Sequence, residues 1–336
     1  MSILILGYFL NLHFIKYMII DILVPAYNEA ASLPELIDRI IVSISLAQSD
    51  SGILDKSLDF DYKIYIGDNY SSDNTLEVVQ MLQSKYPGKI YLVQNHRNYG
   101  YEHSAWNLFR LSRGNAAVHI LSDLEDPPEL VGELIVGWLL RDVSIDSIFA
   151  SKLTNKTELY FYQFFRRLFY LLSRIFLRIK LPVGYHGVGI YSDFVIKDAV
   201  WLFSRSSLNI RSCLVSCSDS FASIHYKKML RKHGKSSLNF RRNAAIAVES
   251  IFKQDRSYHT LIAIMCIFSF IFFLFCTIFA LFNQILFKVY PSGTLTLSTI
   301  IGAFAITTSL SIYLLSSQIS SIPKTRRTLK VRYTIK

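Results

Sequence analysis

Cysteine is scarce in this chain. The 336 residues hold four, Cys213, Cys217, Cys266 and Cys276. Two of them fall inside an apolar run, and no nearby Cys or His completes a zinc set around Cys213 and Cys217. A disulfide scaffold and a zinc module are thereby excluded, and the thiols are expected reduced, in a reducing compartment. Acid is also in short supply: 25 Asp and Glu face 36 Lys and Arg, a formal net charge of +11. Such a balance suits nucleic acid, anionic lipid or phosphorylated substrates. Neither zinc-finger spacing nor a helix-turn-helix accompanies it, so nucleic acid is set aside and lipid and phosphate remain. Internal repeats and low-complexity tracts are lacking too.

Apolar residues are abundant, at 51%, and most of the excess lies after residue 259. Leu261 to Phe282 carries no charge and is about as long as the roughly 20 residues a bilayer span needs. A second uncharged stretch runs from Pro291 to Pro323, most apolar near Leu295 to Leu315. Lys288 is the single basic residue between them. Arg231, Lys232, Lys235, Arg241, Arg242, Lys253 and Arg256 lie upstream, and Lys324, Arg326, Arg327, Lys330, Arg332 and Lys336 downstream. Positive flanks stay inside. The expectation is a multi-pass membrane protein whose hairpin keeps the front domain cytoplasmic, in a bacterial inner membrane. Met1 to Tyr17 is apolar but lacks a basic start and a cleavage site. It is either an extra anchor or an upstream extension with Met18 as the start. The expected division is 1–17 extension, 18–230 catalytic domain, 231–259 basic juxtamembrane segment, 260–318 two spans and 319–336 basic tail.

The front domain alternates. Ile20 to Pro25 has the pattern of a short buried strand ended by proline, and Ser32 to Leu46 has helical spacing. Strands are expected at Lys63–Ile66, Lys89–Val93, Ala116–Leu121 and Ser147–Ala150. Helices are expected at Asp73–Leu82 with Asp73 as N-cap, Glu102–Leu111 and Pro128–Leu140. This βαβα order implies an α/β fold with a mostly parallel sheet flanked by helices. Ligands in such sheets sit at the carboxyl ends of the strands. Polar clusters fall there four times: Tyr27, Asn28 and Glu29; Asp68, Asn69 and Asp73; Arg97, Asn98 and Gly100; Asp123, Glu125 and Asp126. Any one of these could be ordinary loop polarity; four at one edge are hard to explain so.

These segments resemble family-2 glycosyltransferases of the GT-A fold, and most of all the polyprenyl-phosphate sugar transferases of the dolichol-phosphate mannose synthase and bactoprenol glucosyltransferase type. Val24-Pro25-Ala26-Tyr27-Asn28-Glu29 is similar to the opening motif. Asp68 to Thr75 is similar to the second nucleotide-binding loop, and Arg97-Asn98-Tyr99-Gly100 to the third. Asp123-Leu124-Glu125-Asp126-Pro127-Pro128-Glu129 matches the metal and catalytic segment, the most specific piece. Arg231 to Ser236 resembles the basic loop before the anchor. The resemblance runs from about Ile20 to the C-terminus. It departs where Leu121 takes the place of the first aspartate of the metal segment, Asn69 that of a second paired aspartate, and Glu125 that of a glutamine. Gly187 to Ser192 follows a bacterial variant rather than the dolichol pattern.

The resemblance implies transfer of a hexose, with inversion, from a nucleoside-diphosphate sugar, UDP-linked, to undecaprenyl or another polyprenyl phosphate in cell-surface polysaccharide assembly. Neutralising the leaving diphosphate calls for a hard divalent cation, Mg2+ or Mn2+, on oxygen ligands. Asp123 is its candidate ligand, with Glu125 as a helper. Pro25, Tyr27, Glu29, Asp68, Asn69, Arg97 and Asp123 form the expected nucleotide-sugar site. Asp126 is the catalytic candidate on the acceptor side: a general base toward a hydroxyl, an orienting group toward a phosphate. Lys152, Arg166, Arg167, Arg231 and Lys235 are the candidates for acceptor phosphate. Glu158 to Lys180 has the pattern of a basic, aromatic amphipathic helix suited to the bilayer interface. Self-association accompanies short anchors of this type. A lipid-linked oligosaccharide hydroxyl as acceptor, and a silent sugar-nucleotide binder, remain as alternatives.

Overall fold

The structure is a computed structural model. It describes residues 16–56, 58–153, 182–206, 208–229, 255–287 and 333–335, with short pieces at 167, 170–171, 174, 301–302, 304–308, 310–313 and 315. The strands are β1 Lys16–Ala26, β2 Leu58–Asp68, β3 Ile90–Asn95, β4 Ala116–His119, β5 Ser147–Lys152, β6 Tyr185–Ser192, β7 Phe221–Tyr226 and β8 Tyr333–Ile335. The helices are α1 Leu33–Gln48, α2 Ser51–Asp55, α3 Thr75–Lys85, α4 Tyr101–Leu111, α5 Leu130–Leu140, α6 Asp193–Arg205, α7 Ile210–Ser216 and α8 Asp255–Phe287.

One eight-stranded sheet carries them in the order β7-β5-β6-β4-β1-β2-β3-β8. β1 pairs in parallel with β2 and β4, β2 with β3, and β5 with β7. β6 runs antiparallel between β4 and β5, and β8 antiparallel beside β3. The expected mostly parallel α/β sheet is present. Successive side chains of a strand point to opposite faces, and in β1 both faces are covered. Ile20, Ile22 and Val24 pack with Leu33, Leu36, Ile37 and Ile40 of α1 and Leu134 and Ile135 of α5. Leu23 packs on the other side with Leu108 and Phe109 of α4 and Val195 and Phe203 of α6. A strand buried on both faces has to read as a continuous apolar run, which is why Ile20 to Val24 stood out.

The elements expected from the front domain all exist, with shifted ends. α3 starts at Thr75, its N-cap is Asn74, and Asp73 instead accepts from the Thr75 N–H at 3.1 Å. β4 stops at His119, so Leu121 belongs to the following loop. α5 begins at Leu130, after a turn made by Pro127 and Pro128. β1 starts at Lys16, inside the stretch set apart as an extension, and the tail beyond 318 ends in a strand of the sheet. The amphipathic segment 158–180 is described only at isolated positions, and 231–254 lies outside the described residues. Among the described residues no helix is long and apolar enough to cross a membrane. α8 has 33 residues, with its side chains described only in part.

Asp21 is the exception in the apolar run of β1. It is 1% exposed, and its Oδ2 accepts from the Ser112 hydroxyl at 2.7 Å and from the Arg113 and Gly114 N–H groups at 2.8 Å each. It thus satisfies the turn between α4 and β4. Removing a buried charged acceptor strands its donors, at roughly 1–3 kcal/mol apiece in the worst case. Asp21→Ala is therefore expected to lower stability by about 3 kcal/mol, measured by denaturant titration of the purified protein. A loss below about 0.5 kcal/mol would rule out this role.

Candidate functional site

Sheet direction brings the polar clusters to one edge. β1, β2, β3, β4, β5 and β7 all end there, and antiparallel β6 begins there. The loop after β1, the loop after β2 and the segment 120–129 after β4 meet beside the switch point, where the chain, having built β2 and β3 on one side of β1, returns to lay β4 on the other.

The first two loops are laced together. Asn28 N–H donates to Ser71 Oγ at 2.9 Å, and Asn28 Oδ1 accepts from Ser72 N–H at 2.8 Å. Glu29 N–H donates to Thr75 Oγ1 at 2.9 Å. Asp68 is buried, and its Oδ1 accepts from Ser71 N–H at 3.0 Å. Asparagines tie the second loop to the third. Asn69 Oδ1 accepts from Asn95 Nδ2 at 3.0 Å and from Tyr99 N–H at 3.1 Å, while Asn69 Nδ2 donates to Asn98 Oδ1 at 2.9 Å. Ser122 closes the ring by donating to the Pro25 carbonyl at 2.9 Å. Asn28, Tyr70 and Leu124 have φ of 56°, 67° and 57°, and among the described non-glycine residues these alone are positive. They fall in the loop after β1, the loop after β2 and the segment 120–129. Left-handed backbone in a tyrosine or leucine is uncommon and is found where surroundings enforce it, often at functional sites. Leu124 is held by burying its side chain in the core, Asn28 by its bonds to the second loop. Tyr27 and Tyr70 keep exposed rings at the rim, and Arg97 is exposed with its guanidinium over Tyr99.

Asp126 lies beneath, fully buried. His186 Nε2 is 3.1 Å from each of its oxygens, and the Tyr226 hydroxyl donates to Oδ1 at 2.5 Å. Tyr226 O–H and His186 Nε2 are 3.1 Å apart. The other ring nitrogen, Nδ1, faces the Gly184 carbonyl at 3.3 Å, and that carbonyl can only accept. Both nitrogens of His186 therefore face acceptors, which suits the imidazolium. Burial works against that charge, but the hydrogen bond and charge of Asp126 outweigh it and raise the pKa above the usual histidine value. Burial and the Asp126 charge push the Tyr226 phenol well up.

Next to this group, His119 at the end of β4 is 1% exposed. Its Nδ1 meets the Gly187 carbonyl at 2.8 Å, and its Nε2 finds no partner among the described residues. Burial holds its pKa down at about 4, so it is neutral. The Arg211 stem crosses Gly187, whose φ of +112° and whose 3.0 Å clearance to Arg211 Cγ and Cδ leave no room for a side chain.

Glu125, the candidate helper for a cation, has a basic side chain beside it. Lys228, just past β7, forms an ion pair with its carboxylate, and Met229 N–H donates to its carbonyl at 2.8 Å. Asp123 is part-exposed, and its Oδ1 accepts from Glu125 N–H at 3.2 Å. Leu121 is part-buried against the core. Among the described residues no three His, Cys, Asp or Glu side chains form a metal cluster. A single carboxylate beside a diphosphate still suits a hard cation, which keeps waters and takes few protein ligands. Lys152 closes β5 at the same edge; Arg167 is exposed on the segment after it. Arg166, Arg231 and Lys235 lie outside the described residues.

Residues 21–199, just over half of the chain, match the family model described as Glycosyl transferase family 2. The chain belongs to that family. An uncharacterized glycosyltransferase of Synechocystis sp. is 29% identical over 164 residues, which are 48% of this chain and 46% of that protein. An undecaprenyl-phosphate 4-deoxy-4-formamido-L-arabinose transferase of Shewanella sediminis is 29% identical over 148 residues, 41% of each chain. The chain thus matches less than half the length of these relatives. Among solved structures, glucosyl-3-phosphoglycerate synthase from Mycobacterium tuberculosis, in complex with Mn2+, UDP-glucose and phosphoglyceric acid, overlays with a TM-score of 0.46 at 19% identity, over 73% of this chain and 79% of that one. The matched residues include the loops after β1, β2 and β3 and the segment 120–129.

His186, Tyr226, His119, Arg211 and Lys228 were not anticipated from sequence. His186 had one local signal, its place between Gly184 and Gly187. His119 lies in the expected strand 116–121, where nothing local marks it as a site residue, and Tyr226, Arg211 and Lys228 come from elements beyond residue 150, where no strand or helix pattern announces them.

His119 makes stability pH-dependent. A histidine held neutral at a pKa of about 4 in the fold but titrating near 6.5 when unfolded favours the unfolded state as pH falls between these values. Stability is then full above about pH 6.5 and falls by about 2 kcal/mol by pH 5. His119→Phe should shrink the stability difference between pH 7.5 and pH 5, read from urea unfolding at both. An unchanged difference would refute a buried neutral His119.

Proposed function

We propose that this family-2 protein transfers a hexose from a nucleoside-diphosphate sugar to a polyprenyl phosphate, with inversion, at the cytoplasmic face of a membrane. The observation that carries the choice of acceptor is the state of Asp126. A hydroxyl acceptor needs a base to take its proton. Asp126 is enclosed, and His186 and Tyr226 occupy its oxygens; both nitrogens of His186 are turned toward acceptors. Neither group is poised to remove a proton. A phosphate monoester needs no such help, being ionised near neutral pH. Its oxygen attacks the anomeric carbon as the bond from that carbon to the donor diphosphate breaks, and the nucleoside diphosphate leaves. The His186 imidazolium, partly exposed and backed by Asp126, supplies positive charge on that side.

On the donor side, the first three loops supply a rigid frame. Pro25, Tyr27, Glu29, Asp68, Asn69 and Arg97 hold nucleotide and sugar in this reading. A divalent cation, Mg2+ or Mn2+, would be held by Asp123 together with diphosphate oxygens. When bound it neutralises the charge that develops on the leaving diphosphate. The Glu125–Lys228 pair makes Glu125 a brace for the loop rather than a ligand.

The membrane reading rests on α8 and on the return of the chain. Thirty-three helical residues span about 50 Å at 1.5 Å each, against about 30 Å of hydrocarbon. Within α8 the stretch 261–282 has no charged residue, and Phe268, Phe272, Phe275 and Phe279 are exposed. The chain leaves the sheet after Tyr226 and rejoins it at Tyr333. Any crossings between these points must be even in number, as in a hairpin.

Membranes holding the protein, undecaprenyl phosphate and a panel of labelled UDP- and GDP-sugars test the reading. Label from one donor is expected in the organic-extractable, mild-acid-labile fraction, lost with chelator and lost at least about 100-fold in Asp123→Ala, the order of one electrostatic contact to the reacting charge. Activity should fall as pH rises through the raised His186 pKa, and His186→Gln should flatten that limb. Label in an oligosaccharide rather than in lipid phosphate would move the acceptor to a hydroxyl. Nucleotide binding without transfer would leave a silent binder.

A further inference from the structure

The last strand of the sheet comes from the far end of the chain. In β8, Tyr333, Thr334 and Ile335 lie opposite Asn95, Gln94 and Val93 of β3. Without β8, β3 would be an open edge with a row of unpaired backbone groups. The contacts extend to side chains. Thr334 Oγ1 is 3.1 Å from His96 Nε2. The Arg110 guanidinium of α4 lies over Tyr333 at 5.4 Å and over Trp106 at 5.2 Å. Tyr333 packs against the core that holds Val93, Trp106 and Phe109.

What β8 grips is the root of the donor loops. Asn95, opposite Tyr333, donates to Asn69 at 3.0 Å and to Ser104 at 3.3 Å, and accepts from Asn107 at 3.4 Å. Asn69 in turn fixes Tyr99 and Asn98. His96 begins the turn that carries Arg97 to Gly100. The loop is thus clamped between Asn69 on one side and the β8–α4 contact on the other. We propose that β8 is a positioning element of the donor site: docking of the C-terminal strand holds residues 95–100, and through Asn69 the second loop, in the form that accepts a nucleoside diphosphate. The proposal rests on the donor reading of this edge. It adds that donor affinity depends on a segment that lies beyond the membrane-anchor region in the chain.

UDP and GDP binding to the full-length protein in detergent micelles, by calorimetry, tests this without any transfer reaction. Thr334→Pro, which cannot keep the strand ladder, is expected to weaken the better nucleotide about tenfold, and Tyr333→Ala, which keeps the backbone, about threefold, with less than about 3 °C change in Tm for either, the scale of a sub-kcal/mol loss. The pair Gln94→Cys with Thr334→Cys sits at directly opposed positions, whose Cα separation of about 4.5–5.5 Å lies within disulfide range. Oxidation should join them within one chain. Unchanged affinity in both Thr334→Pro and Tyr333→Ala would overturn the proposal. So would a disulfide that forms only between two chains, since the strand would then be exchanged between copies. If wild-type protein bound neither nucleotide, the donor reading itself would fail and carry the proposal with it.

Discussion

A carboxylate without water has to be matched by the protein around it, and Asp126 is such a group. Burying an unpaired charge costs several kcal/mol after relaxation, and the cost is offset only by a partner and by hydrogen bonds to the remaining lone pairs. Here the partner is His186 and the extra donor is Tyr226. They arrive from different strands. β6 runs antiparallel to β4, so its first residues stand beside the last residues of β4, and Tyr226 ends β7 two places away in the sheet. A sheet that stayed wholly parallel would place the start of the β6 segment at the opposite edge, and Asp126 would lose His186. The mixed half of the sheet is thus a condition for keeping that carboxylate buried.

The donor half answers to a different constraint. The loops after β1 and β2 and the segment 120–129 each adopt left-handed backbone at a residue with a side chain. Such conformations cost roughly 1 kcal/mol or more apiece and persist only where the surroundings overrule the local preference. The overruling groups are visible: Ser71 and Ser72 around Asn28, and the core around Leu124. Lacing of this kind keeps loops from relaxing when no ligand is bound, and so reduces the ordering cost of binding.

The strongly periodic half of the fold was legible in the amino-acid sequence because its signals are local. Ile20 to Val24 and Lys63 to Ile66 are largely apolar runs bounded by polar residues; Asp68 ends β2, Asn69 follows it, and Asp123 lies in the loop after β4. Segment ends were less legible. Proline at 127 and 128 suits a helix start, yet here it makes a turn before Leu130. The acceptor half was not legible. Asp126 could be named from its segment, but His186 and Tyr226 are 60 and 100 residues away, and nothing in their own neighbourhoods says they share a carboxylate. Glu125 shows the same limit in reverse: its segment suggested a metal ligand, while the Lys228 that neutralises it follows a strand not anticipated. β8 is three residues long, too short for any periodicity to announce it.

The proposed inverting transfer requires leaving group and nucleophile to approach the sugar from opposite sides. Charge is distributed to suit. The donor loops offer buried and part-exposed carboxylates, Asp68 and Asp123, where a sugar hydroxyl, a ribose or a cation would need acceptors. The other side presents paired or neutral groups instead: His186 with Asp126, Arg211 with Glu102 at 3.7 Å, and a neutral His119 behind them. A free carboxylate on that side would repel an incoming phosphate, and a free base would be of use only to a hydroxyl. Asp126 is neither, because its charge is already spent on His186. In the proposed reading, the same pairing that makes burial of the carboxylate tolerable also favours a phosphate acceptor over a hydroxyl. On that reading, disrupting the pair from the histidine side would leave the carboxylate uncompensated and make the site repel a phosphate acceptor.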